Sequence, residues 1–485
     1  MKKHLYIALI SLISINFAFA QNSVDVLRYS RTNVGGTARS MAHGGAFGAV
    51  GADFSSLSIN PAGIGLYKKS ELSLTPTFYL SNVDADLNGH KGFDHKNNFS
   101  MNNYGLVLVS GNNQKKGWKF FQFGVGVNRL ADFNHRYTIT NENTTSSLIS
   151  DYQIKAYGQH PDDLDPFSTN LAWYNYLLED TVRLPNGALA YKSPLADGGA
   201  YQEMNKHTWG SINEMVLSFG STYNDIFYIG GSVGFPFLRY YEETSYMEED
   251  RADTITNFYK FIKDDYLETH GSGVNFKFGV IVRPTGWIRM GLAFHSPTWY
   301  SMNDYWTAEM VRYYDNGTND SKESRRPKPD GRYDYNLKTP MKLVGSAAFT
   351  IARFLLLSGD VEYIDYSSGT LDAHDYRFNE ENEQVRKKYQ STLNIKTGAE
   401  IRLRPISFRA GLDYFGNPYA NDVNDGQIWK LSGGIGYRDR DFFMDFAYVY
   451  TIKKEDYYMY NPDLIDPANL NIFTHQIALS VGYKF

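Results

Sequence analysis

The feature that most limits how this chain can fold is a two-residue alternation of apolar and polar side chains, sustained over lengths that cross a bilayer. Between Ser391 and Leu403, one face reads Leu393, Ile395, Thr397, Ala399, Ile401 and Leu403, the other Thr392, Asn394, Lys396, Gly398, Glu400 and Arg402. A strand puts successive side chains on opposite faces, whereas a helix would scatter these charges around its circumference. Glu214 to Tyr223 repeats the pattern, with Met215, Leu217, Phe219 and Tyr223 against Glu214, Ser218, Gly220 and Thr222. So does Phe473 to Phe485, where Phe473, Ile477, Leu479, Val481, Tyr483 and Phe485 oppose Thr474, Gln476, Ala478, Ser480, Gly482 and Lys484. After the first twenty residues no stretch has the roughly eighteen consecutive apolar residues of a membrane helix. A chain that spans a membrane without helices must satisfy its backbone from strand to strand, as a closed barrel does.

The pattern predicts strands near 71–86, 101–110, 119–139, 213–224, 225–248, 271–284, 287–315, 334–351, 353–374, 390–405, 406–417, 427–439, 441–460 and 471–485. That is an all-β, antiparallel transmembrane barrel of about fourteen strands, an even number as single-chain bacterial barrels have. Connections alternate between short (Asn224-Asp225, Arg404-Pro405, Asp439-Arg440) and long and polar (249–270, 315–332, 373–388), the longest running from Asn141 to Ile212. Short turns on one rim and long loops on the other are the habit of such barrels. Aromatic residues make up 16% of the chain, with 38 Tyr, 31 Phe and 42 Gly, which suits strands and interfacial girdles.

Lys2 and Lys3 precede an apolar stretch and then Ala18-Phe19-Ala20, the form of a cleavable signal peptide over residues 1–20. Together with the barrel this predicts the outer membrane of a Gram-negative bacterium. The chain has no cysteine, which removes disulfides, thiolate metal sites and a lipid-modified N-terminal Cys. A formal charge of −5 gives no support for a nucleic-acid partner. The terminal Tyr483-Lys484-Phe485 resembles the C-terminal signature that barrel-insertion machinery reads, so Phe485 is expected to contact it.

Few residues suggest chemistry. Gly230-Gly231-Ser232-Val233-Gly234 fits the serine-hydrolase pattern, but it lies inside an alternating strand rather than on a strand-to-helix elbow. A close-packed wall is the better account. His43 is a lone histidine, more often structural than a haem or metal ligand. Lys396, Glu400, Arg402, Arg409 and Asp413 are lumen-facing charges that neutralise one another or steer a carboxylate. No catalytic constellation, metal site or cofactor motif stands out, and no enzyme activity is expected.

Between Gln21 and Ser70 the chain does not read as strand; small residues dominate, so this stretch can pack closely inside a barrel. Its segment "TARSMAHGGAFGAVGADFSSLSINPAGIG" resembles the N-terminal hatch of the FadL family of outer-membrane transporters for long-chain fatty acids and other hydrophobic compounds. "KFGVIVRPTGWIRMGLAFHSP" (277–297), "LLLSGDVEYIDYS" (355–367) and "WKLSGGIGYRDRDFFMDFAYVY" (429–450) are similar to strand pairs of that family. The resemblance implies a hatch over 21–70 plugging a barrel over 71–485, no cofactor, a monomer, and hydrophobic substrates that meet outer-membrane lipid on release. It implies that Asn60, Pro61 and Ala62 form the hatch motif, set against an inward kink of the third strand within Phe120 to Phe133. Gly124 and Gly126 are the candidates for that kink, since glycine permits a strand to bend. The function implied is passive transport with hatch-gated lateral release. A receptor or adhesin working through its long loops is the alternative, and a barrel enzyme using Ser232 the remote third.

Overall fold

The computed structural model describes residues 22–111, 116–143, 145–185, 187–195, 198–314, 322–325, 328–352, 354–420 and 424–485; the expected signal peptide lies outside them. Fourteen antiparallel staves follow one another around a barrel, and the first (Glu71–Leu87) closes it by pairing with the last (Ala468–Lys484), from Glu71 opposite Lys484 to Asp86 opposite Asn469. The second is His90–Gly111; the third is Trp118–Asp132 continued by His135–Asn143; the fourth, fifth and sixth are Ala200–Tyr223, Phe227–Glu249 and Lys260–Val282. The seventh runs as Ile288–His295 and Trp299–Tyr314, the eighth as Asp330–Lys338 and Lys342–Ile351, the ninth as Leu355–Asp365 and Thr370–Asp372. Ser391–Leu403, Ile406–Phe415, Ile428–Arg438 and Phe442–Tyr457 complete the circuit.

Burial is inverted relative to a soluble protein. Phe78, Phe219 and Leu292 stand 58%, 60% and 66% exposed on the outer face, while Glu214 and Asp445 are fully buried on the inner one. An apolar belt of this kind, continued by Leu343, Leu357, Ile395, Phe408, Leu431 and Leu479, is stable only against lipid. No helix among the described residues is long and apolar enough to cross a membrane.

Several strands outrun their expected limits. The second begins at His90, not 101, because Asn88 and Gly89 (φ 54° and 89°) make a tight hairpin where a connection over 87–100 was expected. The fourth begins at Ala200 and the sixth at Lys260. Above the belt the inner face turns apolar: Met204, Tyr246, Phe261, Met310 and Leu470 join Leu148, Ile149 and Tyr152 of α4 (Leu148–Ala156) and Leu171 of α5 (Thr169–Tyr174) in one core. This core caps the long-loop mouth. Glu248 helps dock α4 by accepting hydrogen bonds from Ser147 Oγ (2.6 Å) and the Leu148 amide (2.8 Å) at its N-terminus.

Candidate functional site

Residues 22–70 fill the lumen. Asn22 caps α1 (Ser23–Ser30) and Thr37 caps α2 (Ala38–Ala42), and the short helix α3 (Ser56–Ile59) leads into a 3₁₀ turn over Pro61–Leu66. Cross-links fold the segment on itself: Thr37 Oγ1 donates to Asp53 (2.8 Å), and the Thr37 amide to Ser55 Oγ (2.8 Å).

Asn60, fully buried, holds the turn from both ends of its amide. Its Oδ1 accepts from the Ala62 amide (3.1 Å) and its Nδ2 donates to the Gly48 carbonyl (2.7 Å). The wall is notched to receive it. A Cβ on Gly279 would lie 1.9 Å from Asn60 Oδ1, and one on Gly230 2.2 Å from the Pro61 carbonyl, so no side chain fits at either position. Asn60-Pro61-Ala62 therefore sits against the fifth and sixth strands, not at the break in the third.

Two buried charge clusters pin the hatch. Arg39 Nε reaches Glu400 (3.2 Å), which Arg409 (2.7 Å) and Arg402 also bind, and Arg409 continues to Asp445 (2.8 Å). Ser58 Oγ donates to Glu214 (2.9 Å), itself paired with Lys277 (2.5 Å). Of the other lumen-facing charges, Lys396 lies 4.0 Å from Glu362, and Asp413 faces Lys396 and Lys430 across the sheet. Ser232 Oγ donates to the Leu57 carbonyl (2.9 Å) and lies 2.7 Å from Ser218 Oγ, which makes it a wall-to-hatch contact. His43 Nε2 lies 2.7 Å from Ser358 Oγ, and burial pushes the ring's pKa down to about 4, so it is neutral near pH 7. No group of metal-ligating side chains forms among the described residues.

The third strand breaks at Phe133 and Asn134 after a register shift between Arg129 and Ala131. Gly124 and Gly126 lie before the break, in unbroken ladder on both sides, and their missing side chains make room for Leu57 and Phe54 of the hatch. Past the break, His135–Asn143 pairs only with the fourth strand and runs across the inner side of the first two: Ser81 Oγ is 2.8 Å from His135 Nδ1. Among the described residues the second strand therefore has no ladder partner on this side from His90 to Asn102. Side chains span the seam instead, with Asp94 to Arg136 (3.1 Å), Lys96 to His207 (2.7 Å) and Asn98 to Asp132 (3.5 Å). The hatch meets it from within, the Asn33 and Gly35 amides donating to the Leu130 and Arg129 carbonyls (2.8 Å each). A sequence signal for the break exists: Asp132 Oδ1 accepts from the Asn134 amide (3.0 Å), an Asx turn that ends a strand.

A cavity of about 390 Å³ opens on the inner side of this seam. Ser100 and Asn102 line it from one edge of the break and Ala131, Asp132, Phe133 and His135 from the other. Leu27, Leu130, Phe133, Phe415 and Ile472 supply apolar surface. Its cations Arg28, Arg129, Lys206 and Lys453 pair with Asp25, Asp132, Glu242 and Glu455, Lys430 faces Asp413 on the neighbouring strand, and Arg31 forms no ion pair among the described residues.

No protein-family model and no curated protein matches the chain. Solved structures do. A FadL homologue of Pseudomonas aeruginosa aligns with a TM-score of 0.57 at 15% identity, over 93% of this chain and 99% of that one. This chain has the FadL fold. The P. putida toluene transporter TodX (TM-score 0.54, 11% identity, 93% and 98% covered) and the Ralstonia pickettii toluene transporter TbuX (0.50, 14%, 93% and 98%) share it. Sequence reading anticipated the FadL fold but not the cavity, whose lining comes from many separate strands.

Proposed function

We propose that the protein carries hydrophobic small molecules such as long-chain fatty acids passively across the outer membrane of a Gram-negative bacterium. Substrate occupies the luminal cavity and leaves sideways through the seam between the second and third strands when the hatch yields. The observation that carries this reading is that both edges of the wall break line one cavity. Each CH₂ moved out of water gains about 0.8 kcal/mol, so an alkyl chain is released more favourably into bilayer than into an aqueous compartment. Two structures of the same fold are named toluene transporters. Here Arg31, which forms no ion pair among the described residues, favours an amphiphile with an acidic head over an uncharged aromatic. The reading includes no catalytic step and no cofactor. The packed core over the long-loop mouth favours a receptor or adhesin as the second reading.

The absence of cysteine permits a clean test. Asn98→Cys and Asp132→Cys, oxidised across the seam, should stop uptake of radiolabelled oleate by cells, and reduction should restore it. Uptake unchanged by the cross-link rejects lateral release; no barrel-dependent uptake at all, at matched surface expression, moves the assignment to the receptor.

A further inference from the structure

Prolines dent the outer wall on another part of the barrel. Pro297 and Pro340 interrupt the seventh and eighth strands side by side, where the Thr298 amide donates to Thr339 Oγ1 (2.9 Å) and the Thr339 amide to the Thr298 carbonyl (3.0 Å). Proline has no amide to give a ladder, and Pro236 of the fifth strand weakens the wall at the same place: it and Phe235 have no partner on the sixth strand. The result is a groove of about 950 Å³ on the outer face, as large as pockets that bind small molecules. Phe235, Phe237, Trp299 and Met215 are its exposed apolar surface, and Tyr300 and Leu337, both buried, close its floor toward the lumen.

The groove lies at the long-loop edge of the apolar belt. Along the eighth strand the outward residues change from Leu343 and Met341 to Lys338 and Asn336. Two opposite charges stand on this rim. Lys338 pairs in register with Thr370, and Asn336 with Asp372, so Lys338 and Asp372 are diagonal neighbours about 7–8 Å apart. Both are exposed, and neither forms an ion pair or side-chain hydrogen bond among the described residues.

We infer that this groove is a lipid site, taking one acyl lipid whose head carries both an anionic phosphate and an ammonium group. The acyl chain lies against Phe235, Phe237 and Trp299, the phosphate on Lys338 and the ammonium on Asp372. A head of one sign would satisfy one rim charge and be repelled by the other. The inference rests on the apolar belt and not on the transport reading.

The test is lipid retention by the purified full-length protein, with phosphatidylethanolamine, phosphatidylglycerol and diacylglycerol offered together in detergent and bound lipid measured by native mass spectrometry. Phosphatidylethanolamine should be retained at least fivefold over the other two. Lys338→Ala and Asp372→Ala should each remove most of that preference, the charge swap Lys338→Asp with Asp372→Lys should keep it, and Ser301→Trp should empty the groove while leaving oleate uptake intact. Equal retention of the three lipids, or a preference that survives both Lys338→Ala and Ser301→Trp, overturns the site.

Discussion

Replacing Asn60 with Ala should loosen the hatch while leaving the wall in place. The change removes two hydrogen bonds at once. Loss of the cap on the 3₁₀ turn costs about 0.5–2 kcal/mol. It also strands the Gly48 carbonyl and the Ala62 amide in a buried site, at about 1–3 kcal/mol for each such group. Because the two losses overlap, a destabilisation of about 2–5 kcal/mol is expected, confined to the hatch, since no ladder hydrogen bond of the wall involves Asn60. Hydrogen exchange reads such local opening directly. Amides of 56–66 should lose about two to four decades of protection while those of the tenth to thirteenth strands stay unchanged. Gly279→Ala should reproduce the effect from the wall side, because its Cβ would lie 1.9 Å from Asn60 Oδ1. The double variant should be markedly less than additive, the clashing oxygen being gone. A loss below about 0.5 kcal/mol for Asn60→Ala, or full additivity, would refute the account of the motif as a keyed contact.

Other outcomes follow from the same geometry. His43 has a pKa near 4 when the hatch is docked and about 6.5 when it is free, so the free state binds the proton first as pH falls; docking is at full strength above pH 6.5 and loses about 3 kcal/mol on descending to pH 4, a loss absent in His43→Asn by hydrogen exchange. Glu400→Gln should cost about 3–5 kcal/mol in denaturant unfolding in detergent, because it leaves Arg39 and Arg409 buried without their shared carboxylate. Lys96→Ala should raise oleate uptake no more than about fivefold, since partly exposed polar pairs are worth about 0.2–1 kcal/mol. Ser232→Ala should leave any lipid hydrolysis by the purified protein unchanged while lowering hatch protection by about 1 kcal/mol.

The number of strands was legible because lipid enforces a strict alternation through the belt, as in the tenth strand. The strand ends were not, because the alternation reverses meaning at the belt's edge: on the fourth strand the inward residues are Glu214 and Ser218 within it, but Ile212 and Met204 above it. A reading that seeks one apolar face loses the strand where that face changes sides. The hairpin at Asn88-Gly89 was there to be read, since Asn-Gly is a strong turn signal, but the polar strand after it concealed it. The hatch motif was visible as a turn, whereas its seat is made of glycines far along the chain, and an absent side chain advertises nothing until its neighbour is known. Gly124 and Gly126 illustrate the converse. Glycine in a strand signals either a bend or a close approach, and here the ladder runs through both residues while the break follows an Asx turn.

The hatch also has a consequence for the order of assembly. Its Ala38 amide is bonded to Ser480 Oγ (2.6 Å), 442 positions further along the chain, and Arg39 to Glu400, 361 positions along. Segments made early thus depend on partners made late: the Ala38 bond needs Ser480 of the fourteenth strand, and the Arg39 bond needs Glu400 of the tenth. The Ala38 end of the plug therefore docks only as the ring closes, and a barrel whose fourteenth strand is late or mispaired should show raised protease sensitivity around Ala38.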